Sequence, residues 1–435
     1  MSSTARVRLW GRDIAAVTLD DGAAFARFEF DPEFAQSGIQ ISPLAMPLAT
    51  SVYSFPELDP KTFHGLPGLL ADSLPDRFGS ALIDAWLATQ GRPASSLNAI
   101  ERLCYVGTRG MGALEFQPSL LREEKRASRI AVDRLVELAS QVLAQRGELR
   151  GSFAGDASAA ALQEILRVGT SAGGARPKAI VAWNPATEEI RSGQVAAGPG
   201  FEHWLLKLDG VSGSGDHGLA DPQGYGAIEF AYSQLARRAG IAMTETRLLE
   251  EHGRRHFMTR RFDRGPAGEK IHMQSLGALA HLDFNLPGAH SYEQALATIR
   301  QLGLPMSAIE EQFRRMVFNL VFRNQDDHVK NIAFLMDKRG LWSLSPAFDV
   351  NYSYNPAGDW TSLHQMSVAG KRDNFTRADL DACARSAMMK RGGAADILTE
   401  VVAAASHWPE FASAAGVASE RAAQIGRQFR LELPA

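Results

Sequence analysis

The chain of 435 residues is short of the features that mark several protein classes. It has two cysteines, Cys104 and Cys383, far apart and outside any CxxC or Cys/His cluster. This speaks against a disulfide framework or a structural zinc site and fits a reducing, cytoplasmic compartment. Neither sign of charge is in excess, since 46 basic and 49 acidic residues leave a formal net charge of -3. No global basic field drives nucleic-acid binding, so a DNA role needs a local patch or a partner. Long apolar runs are missing as well. The longest uncharged stretch, Phe34 to Pro56, is broken by Gln36, Ser37, Gly38, Gln40, Pro43 and Pro47. A bilayer span needs about 20 predominantly apolar residues, so no membrane role is expected. The opening MSSTARVRLW has charge but no apolar h-region and does not read as a signal peptide. What remains is ordinary globular composition, 45% hydrophobic and 22% charged, at a length that suggests two or three domains.

Along the chain, the first stretch reads as β-rich. Arg6 to Trp10 and Ala24 to Phe30 alternate in hydrophobicity around a turn at Asp20 to Gly22. Helices are expected over Ser80 to Gln90, Ser96 to Tyr105 and Val132 to Arg146, with a strand at Ala113 to Phe116. The charged segment Leu121 to Arg129 reads as a boundary, and a second module begins near Gly151. It continues with strands at Ala179 to Trp183 and His203 to Leu208, then a helix over Ala227 to Arg238 closed by Gly240. A hairpin follows from Thr244 to Phe262, and from about Pro266 the chain reads as mainly helical. Strands first and helices second within one module indicate a two-lobed α+β unit.

The most informative segment is Glu311 to Asn351. Phe313, Met316, Val317, Leu320 and Val321 form the stripe of a buried amphipathic helix, which alone is core packing. That helix runs into Asn324-Gln-Asp-Asp-His-Val-Lys-Asn331, followed by apolar strands Ile332 to Met336 and Leu341 to Leu344 and then Ser345-Pro-Ala-Phe-Asp349. Phosphoryl transfer needs a carboxylate to orient or deprotonate the acceptor hydroxyl and oxygen ligands for magnesium. Protein kinases supply an Asp, an Asn five residues on, a hairpin and a second Asp. Asp326, Asn331 and Asp349 fall in that order. Asp and Asn also cap turns; the surrounding helix–loop–hairpin–Asp context favours the kinase reading.

The upstream half offers the other parts. Lys207 is a lone charge inside the apolar strand His203 to Leu208, and Glu229 on the next helix is its candidate partner. The plainer readings are an edge lysine that blocks aggregation and a solvated helix face. The small-residue turn Val168 to Lys178 would let backbone N–H groups approach phosphate oxygens. It is not a Walker A loop, because Ala175 stands where the lysine belongs. A G-x-G-x-x-G at Gly213, Gly215 and Gly218 lacks the acidic residue a dinucleotide fold needs and reads as a surface loop. His328 has no second histidine at ligand spacing and is assigned to ordering its loop by hydrogen bonding. The basic run Arg254 to Arg264 reads as a hairpin leading into an inter-lobe hinge.

Five segments together resemble the HipA family, the kinase toxins of bacterial toxin–antitoxin pairs. They are Gly65 to Gly79, Ser171 to Lys178, Met258 to Arg264, Asn324 to Asn331 and Pro346 to Asp349. The resemblance implies a protein-kinase-like two-lobed α+β fold with an N-terminal β-rich subdomain and a mainly helical C-terminal lobe. It divides the chain into residues 1–120, a helical linker 121–149, an N-lobe 150–262 and a C-lobe 263–435. It implies a serine/threonine kinase using ATP and Mg, with Asp326 as the catalytic aspartate and Asn331 and Asp349 holding magnesium. ATP would be met by Ser171, Ala172, Gly173, Gly174, Ala175, Arg176 and Lys178 of the phosphate loop, by Lys207 with Glu229, and by His328 and Lys330. The hinge residues Arg260, Arg261 and Phe262 would meet adenine mainly through backbone groups. Ser171, with Thr170 beside it, matches the serine whose autophosphorylation ejects the loop; the added negative charge would oppose ATP phosphates. The implied partners are a HipB-like helix-turn-helix antitoxin, operator DNA reached through that antitoxin, and a protein substrate such as an aminoacyl-tRNA synthetase. Two alternatives stay open: a small-molecule kinase on the same scaffold, and a catalytically weak co-repressor or scaffold.

Overall fold

The computed structural model describes residues 3–120, 127–144, 165–166, 168–169, 176–194, 197–211, 215–216, 219–220 and 224–433. Its N-terminal part is a four-stranded antiparallel sheet in the order Arg27–Phe30, Arg12–Leu19, Ser3–Leu9, Leu114–Gln117. The strand Arg12–Leu19 was not expected. Its two adjacent alanines dilute the β-branched signal; it pairs with Ser3–Leu9 through a turn at Trp10 and Gly11, both at positive φ, and with Arg27–Phe30 across the segment that holds the expected turn at Asp20 to Gly22. Phe28, Phe30, Leu69, Leu70, Leu103 and Phe116 fill the core beneath this sheet.

The second sheet has five antiparallel strands in the order Thr246–Glu251, Arg254–Arg260, Glu202–Lys207, Lys178–Trp183, Ile190–Ser192. Lys207 is therefore on the central strand, which removes the edge-strand reading. Its apolar face is covered by two helices from earlier in the chain. Phe78, Leu82 and Ile83 of Arg77–Thr89 and Leu135, Val136 and Ala139 of Val132–Ala144 share one cluster with Val181, Trp204, Leu206 and Met258 of the sheet.

The remaining lobe is built around Met306–Phe322. Phe313, Met316, Val317, Leu320 and Val321 are all fully buried, each contributing about 1.5–3 kcal/mol of transfer free energy. Tyr292–Gln301, Arg377–Ser386, Gly393–Ala404 and Trp408–Ala414 pack around it in one cluster. This lobe also holds a three-stranded sheet, His272–Ser275, Ala333–Met336 and Trp342–Leu344. The first of these is a strand not expected in the mainly helical stretch; the sequence HMQS has no β-branched residue to announce it. The helix Tyr225–Arg238 belongs to this core yet lies against the five-stranded sheet. Gly226 permits that approach, since a Cβ there would sit 2.2 Å from the Arg255 carbonyl oxygen.

Candidate active site

Glu229 lies three residues beyond Gly226, so it faces the same way, toward the sheet. It is buried, and Lys207 Nζ donates to its Oε1 at 2.6 Å. Glu229 is thus no solvated surface acid. Lys207 also donates to Asp349 Oδ1, joining the central strand, the helix and the segment after the Ala333–Leu344 hairpin. Burial alone would lower the Lys207 pKa, but the Asp349 and Glu229 carboxylates outweigh it and hold it above the usual lysine range. Burial pushes Glu229 upward against the pull of Lys207. For Asp349 burial also pushes upward, but Lys207 and Lys178 prevail and keep it below the usual carboxylate range. Asp349 has φ +56°, in the left-handed region where a non-glycine residue is under strain, and such strain concentrates at functional sites.

Lys178 begins the neighbouring strand and lies directly opposite Lys207 in the register, so both project from the same face. It is 2% exposed and stands 3.7 Å from Asp76, a residue of the N-terminal segment. Arg176 stacks on the Tyr225 ring at 3.7 Å. Ser171, Ala172, Gly173, Gly174 and Ala175 lie outside the described residues, as does Thr170.

The loop after Met306–Phe322 supplies the facing wall. Arg323 ends the helix in a left-handed conformation, and Asp326 and Asp327 then point opposite ways. Asp327 is buried and accepts from Tyr292 Oη at 2.7 Å, His364 Nδ1 at 2.8 Å and the Gln365 N–H at 2.8 Å. Burial would raise its pKa, but His364 and these donors pull it below the usual range. Asp326 remains partly open, with one carboxylate oxygen taken by the Trp360 indole N–H at 2.7 Å. Asn331 Nδ2 donates to the Asp326 carbonyl at 2.8 Å, which turns its Oδ1 away from the loop. His328 does not act as expected. Its Nδ1 is buried without a hydrogen-bond partner among the described residues, and Nε2 is 3.8 Å from Asp326. The loop is tied by backbone and Asn331 amide bonds instead. Lys330 Nζ lies 4.9 Å from the centre of the Phe284 ring.

The hinge residues separate by side chain. Arg260 faces Glu202 at 3.5 Å, and Phe262 packs on Phe348 at 5.6 Å, beside Asp349. Arg261 is buried and turned away, its guanidinium held by Asp263 at 2.6 and 2.8 Å. Only its backbone is available to a ligand in the cleft, and its N–H already donates to the His203 carbonyl at 2.9 Å.

The donor chemistry suits magnesium. Asn331 Oδ1 and the second Asp349 oxygen are hard ligands, and Mg²⁺ characteristically takes one or two protein oxygens plus phosphate and water. Among the described residues no group of three or more His, Cys, Asp or Glu side chains could hold a metal by itself. The site can therefore anchor a cation shared with a phosphate, flanked by two lysines and a partly open carboxylate. Sequence reasoning missed the roles of Asp76 and Trp360, which approach from distant positions, and of Asp327, whose donors do.

Two family models cover most of the chain: the HipA N-terminal domain matches residues 5–117, and the HipA-like C-terminal domain matches residues 170–430. The chain belongs to the HipA family. Its fold is the protein-kinase-like two-lobed arrangement with an N-terminal β-rich subdomain and a mainly helical C-terminal lobe. It is similar to HipA in the Shewanella oneidensis complex of HipA, HipB and operator DNA, with TM-score 0.65 and 17% identity over 97% of this chain and 94% of that one. A structure of the Helicobacter pylori proinflammatory kinase CtkA aligns with TM-score 0.36 and 12% identity over 59% of this chain and 94% of that one. Among curated proteins, the "Putative kinase Y4dM" of Sinorhizobium fredii is 29% identical over 164 residues. That match spans 34% of this chain and 36% of the relative, about a third of its length. No helix among the described residues is long and apolar enough to cross a membrane.

Proposed function

We propose that the chain is an ATP- and magnesium-dependent serine/threonine protein kinase, acting in the cytoplasm as the toxin of a toxin–antitoxin pair. The observation that carries this reading is the convergence of Lys207, Glu229 and Asp349 opposite Asp326 and Asn331. In this reading Glu229 orients Lys207 toward the nucleotide phosphates, and Arg260 to Phe262 meet adenine through backbone groups. Lys178, Arg176, His328 and Lys330 complete the nucleotide environment. Asn331 and Asp349 would hold magnesium, which supplies charge neutralisation on the transferred phosphoryl group. Asp326 keeps one carboxylate oxygen for the acceptor hydroxyl while Trp360 fixes the other. Autophosphorylation at Ser171 would switch the site off by setting negative charge against the nucleotide phosphates.

The family membership supports a HipB-like helix-turn-helix partner, through which operator DNA would be reached, and a translation component such as an aminoacyl-tRNA synthetase as substrate. The proposed boundaries are 1–120, 121–149, 150–262 and 263–435. The deciding experiment incubates the purified protein with ATP and magnesium and follows phosphate incorporation on serine. Asp326→Asn and Asp349→Asn are expected to lower it at least 100-fold; wild-type incorporation by both variants would sink the assignment. Asn at position 326 can still accept from Trp360, so the loss would be chemical and not conformational. A labelled metabolite with no labelled protein in a lysate would shift the reading to a small-molecule kinase.

A further inference from the structure

The segment Gly65 to Gly79 stood out in the sequence, and the proposed chemistry uses none of it. In the fold it touches both lobes. Gly68 N–H donates to His281 Nε2 at 3.1 Å, and a Cβ on Gly68 would meet the Ala278 carbonyl oxygen at 2.2 Å. Four residues on, the Asp72 carboxylate accepts from the Ser275 N–H at 2.7 Å and the Ser275 hydroxyl at 2.9 Å. These contacts seat the segment on the C-terminal lobe. Four residues further, Asp76 caps the helix Arg77–Thr89 by accepting from the Gly79 N–H at 2.6 Å through Oδ1. Its Oδ2 is buried without a hydrogen-bond donor among the described residues and stands 3.7 Å from Lys178 Nζ.

We propose that this segment is a brace between the lobes and that Asp76 is a positioning residue for Lys178 at the nucleotide end of the site. The inference rests on the nucleotide reading above. Both side chains are 2% exposed, where an ion pair gives little net stability because each charge has lost its water. Packing alone would be served as well by two apolar residues. What the pair supplies is direction. Lys178 also feels Asp349 and Glu229, the carboxylates around Lys207. The Asp349 carboxylate, the oxygen ligand that the magnesium–nucleotide complex needs, draws the Lys178 ammonium one way. Asp76 pulls from the other side, at a distance too long for a hydrogen bond, and so biases the direction of Lys178. Nucleotide affinity then depends on the N-terminal subdomain, although that subdomain contributes no atom to the reaction.

Asp76→Asn and Asp76→Ser both retain an acceptor for the helix cap and remove the carboxylate charge. Each is expected to weaken binding of a non-hydrolysable ATP analogue with magnesium roughly tenfold by calorimetry, the scale of one charge-assisted contact. In turnover, KM for ATP should rise by a similar factor while kcat changes less, and Asp76→Glu should recover most of the affinity. Circular dichroism establishes that each variant is folded. Variants that bind the analogue as the wild type does, or an equal loss in the glutamate variant, would overturn the inference alone. A wild type that binds no nucleotide would overturn the proposed activity and this inference with it.

Discussion

Replacing Lys207 by methionine tests the charge cluster without any nucleotide. Methionine keeps much of the lysine stem and removes the ammonium that donates to Glu229 at 2.6 Å and also to Asp349. Two carboxylates then face each other, with the Glu229 side chain 3% exposed. Removing one partner of a buried ion pair costs about 3–5 kcal/mol, mostly the penalty of the charge left behind. The pH dependence gives the sharper signature. Burial already pushes Glu229 above the usual glutamate range, and Lys207 is the main opposing influence. In the variant the folded-state pKa therefore climbs further above its unfolded value, about 4.3. A carboxyl raised in the folded state contributes stability that is present below the unfolded pKa and lost as pH rises through the folded one. The Glu229 part of the deficit should grow between pH 5 and pH 8, on top of a part already present at pH 5 because Asp349 loses the lysine that holds it below the usual range. Urea unfolding followed by circular dichroism at both pH values measures it. Groups that titrate alike in the two proteins cancel in the difference. A deficit below about 1 kcal/mol at pH 8, or one equal at the two pH values, would refute the reasoning.

Two further outcomes test the surroundings of the site. Asp327→Ala strips the acceptor from Tyr292, His364 and the Gln365 N–H, so the denaturation midpoint should fall by the equivalent of about 3–5 kcal/mol. His256 and His272 are fully buried and held at about 4 by burial. A histidine depressed in the folded state contributes stability that is full above its unfolded pKa, about 6.5, and drains away as pH falls toward the folded value. Unfolding free energy should thus drop between pH 6.5 and 4 by up to roughly 3 kcal/mol per histidine, and His272→Gln should flatten that slope in a pH series of urea midpoints.

Where the sequence spoke clearly, the signal was local and periodic. The stripe Phe313 to Val321 reads as a helix because its spacing matches one buried face. Lys207 stands out because a charge in an apolar strand needs a reason, and Glu229 follows as the first acid on the next helix. The spacing of Asp326, Asn331 and Asp349 is equally local, because loop and hairpin carry all three. Strands with mixed composition, the long Arg12–Leu19 and the short His272–Ser275, were illegible because their partners decide them. The adjacent pair Asp326 and Asp327 shows another limit. One is a buried anchor and the other faces the cleft, and only the approach of Tyr292, His364 and Gln365 tells which. Trp360 reaches Asp326 across 34 residues and Asp76 reaches Lys178 across about a hundred, distances over which no periodicity survives.

The covering of the five-stranded sheet by Arg77–Thr89 has a consequence for how the protein is made. That helix emerges from a ribosome well before the strands it packs on, which begin at Lys178. At about 5–20 residues per second, its apolar face with Phe78, Leu82 and Ile83 waits on the order of 5–20 seconds for the first strand. The last strand to join that interior, Arg254–Arg260, comes later still. Synthesis therefore passes through a stage in which the N-terminal sheet can close while the helix beside it has at most Val132–Ala144, and not yet the five-stranded sheet, to pack against. That interval is when a holding chaperone would act, and a chain released within it would carry a ready-made aggregation surface.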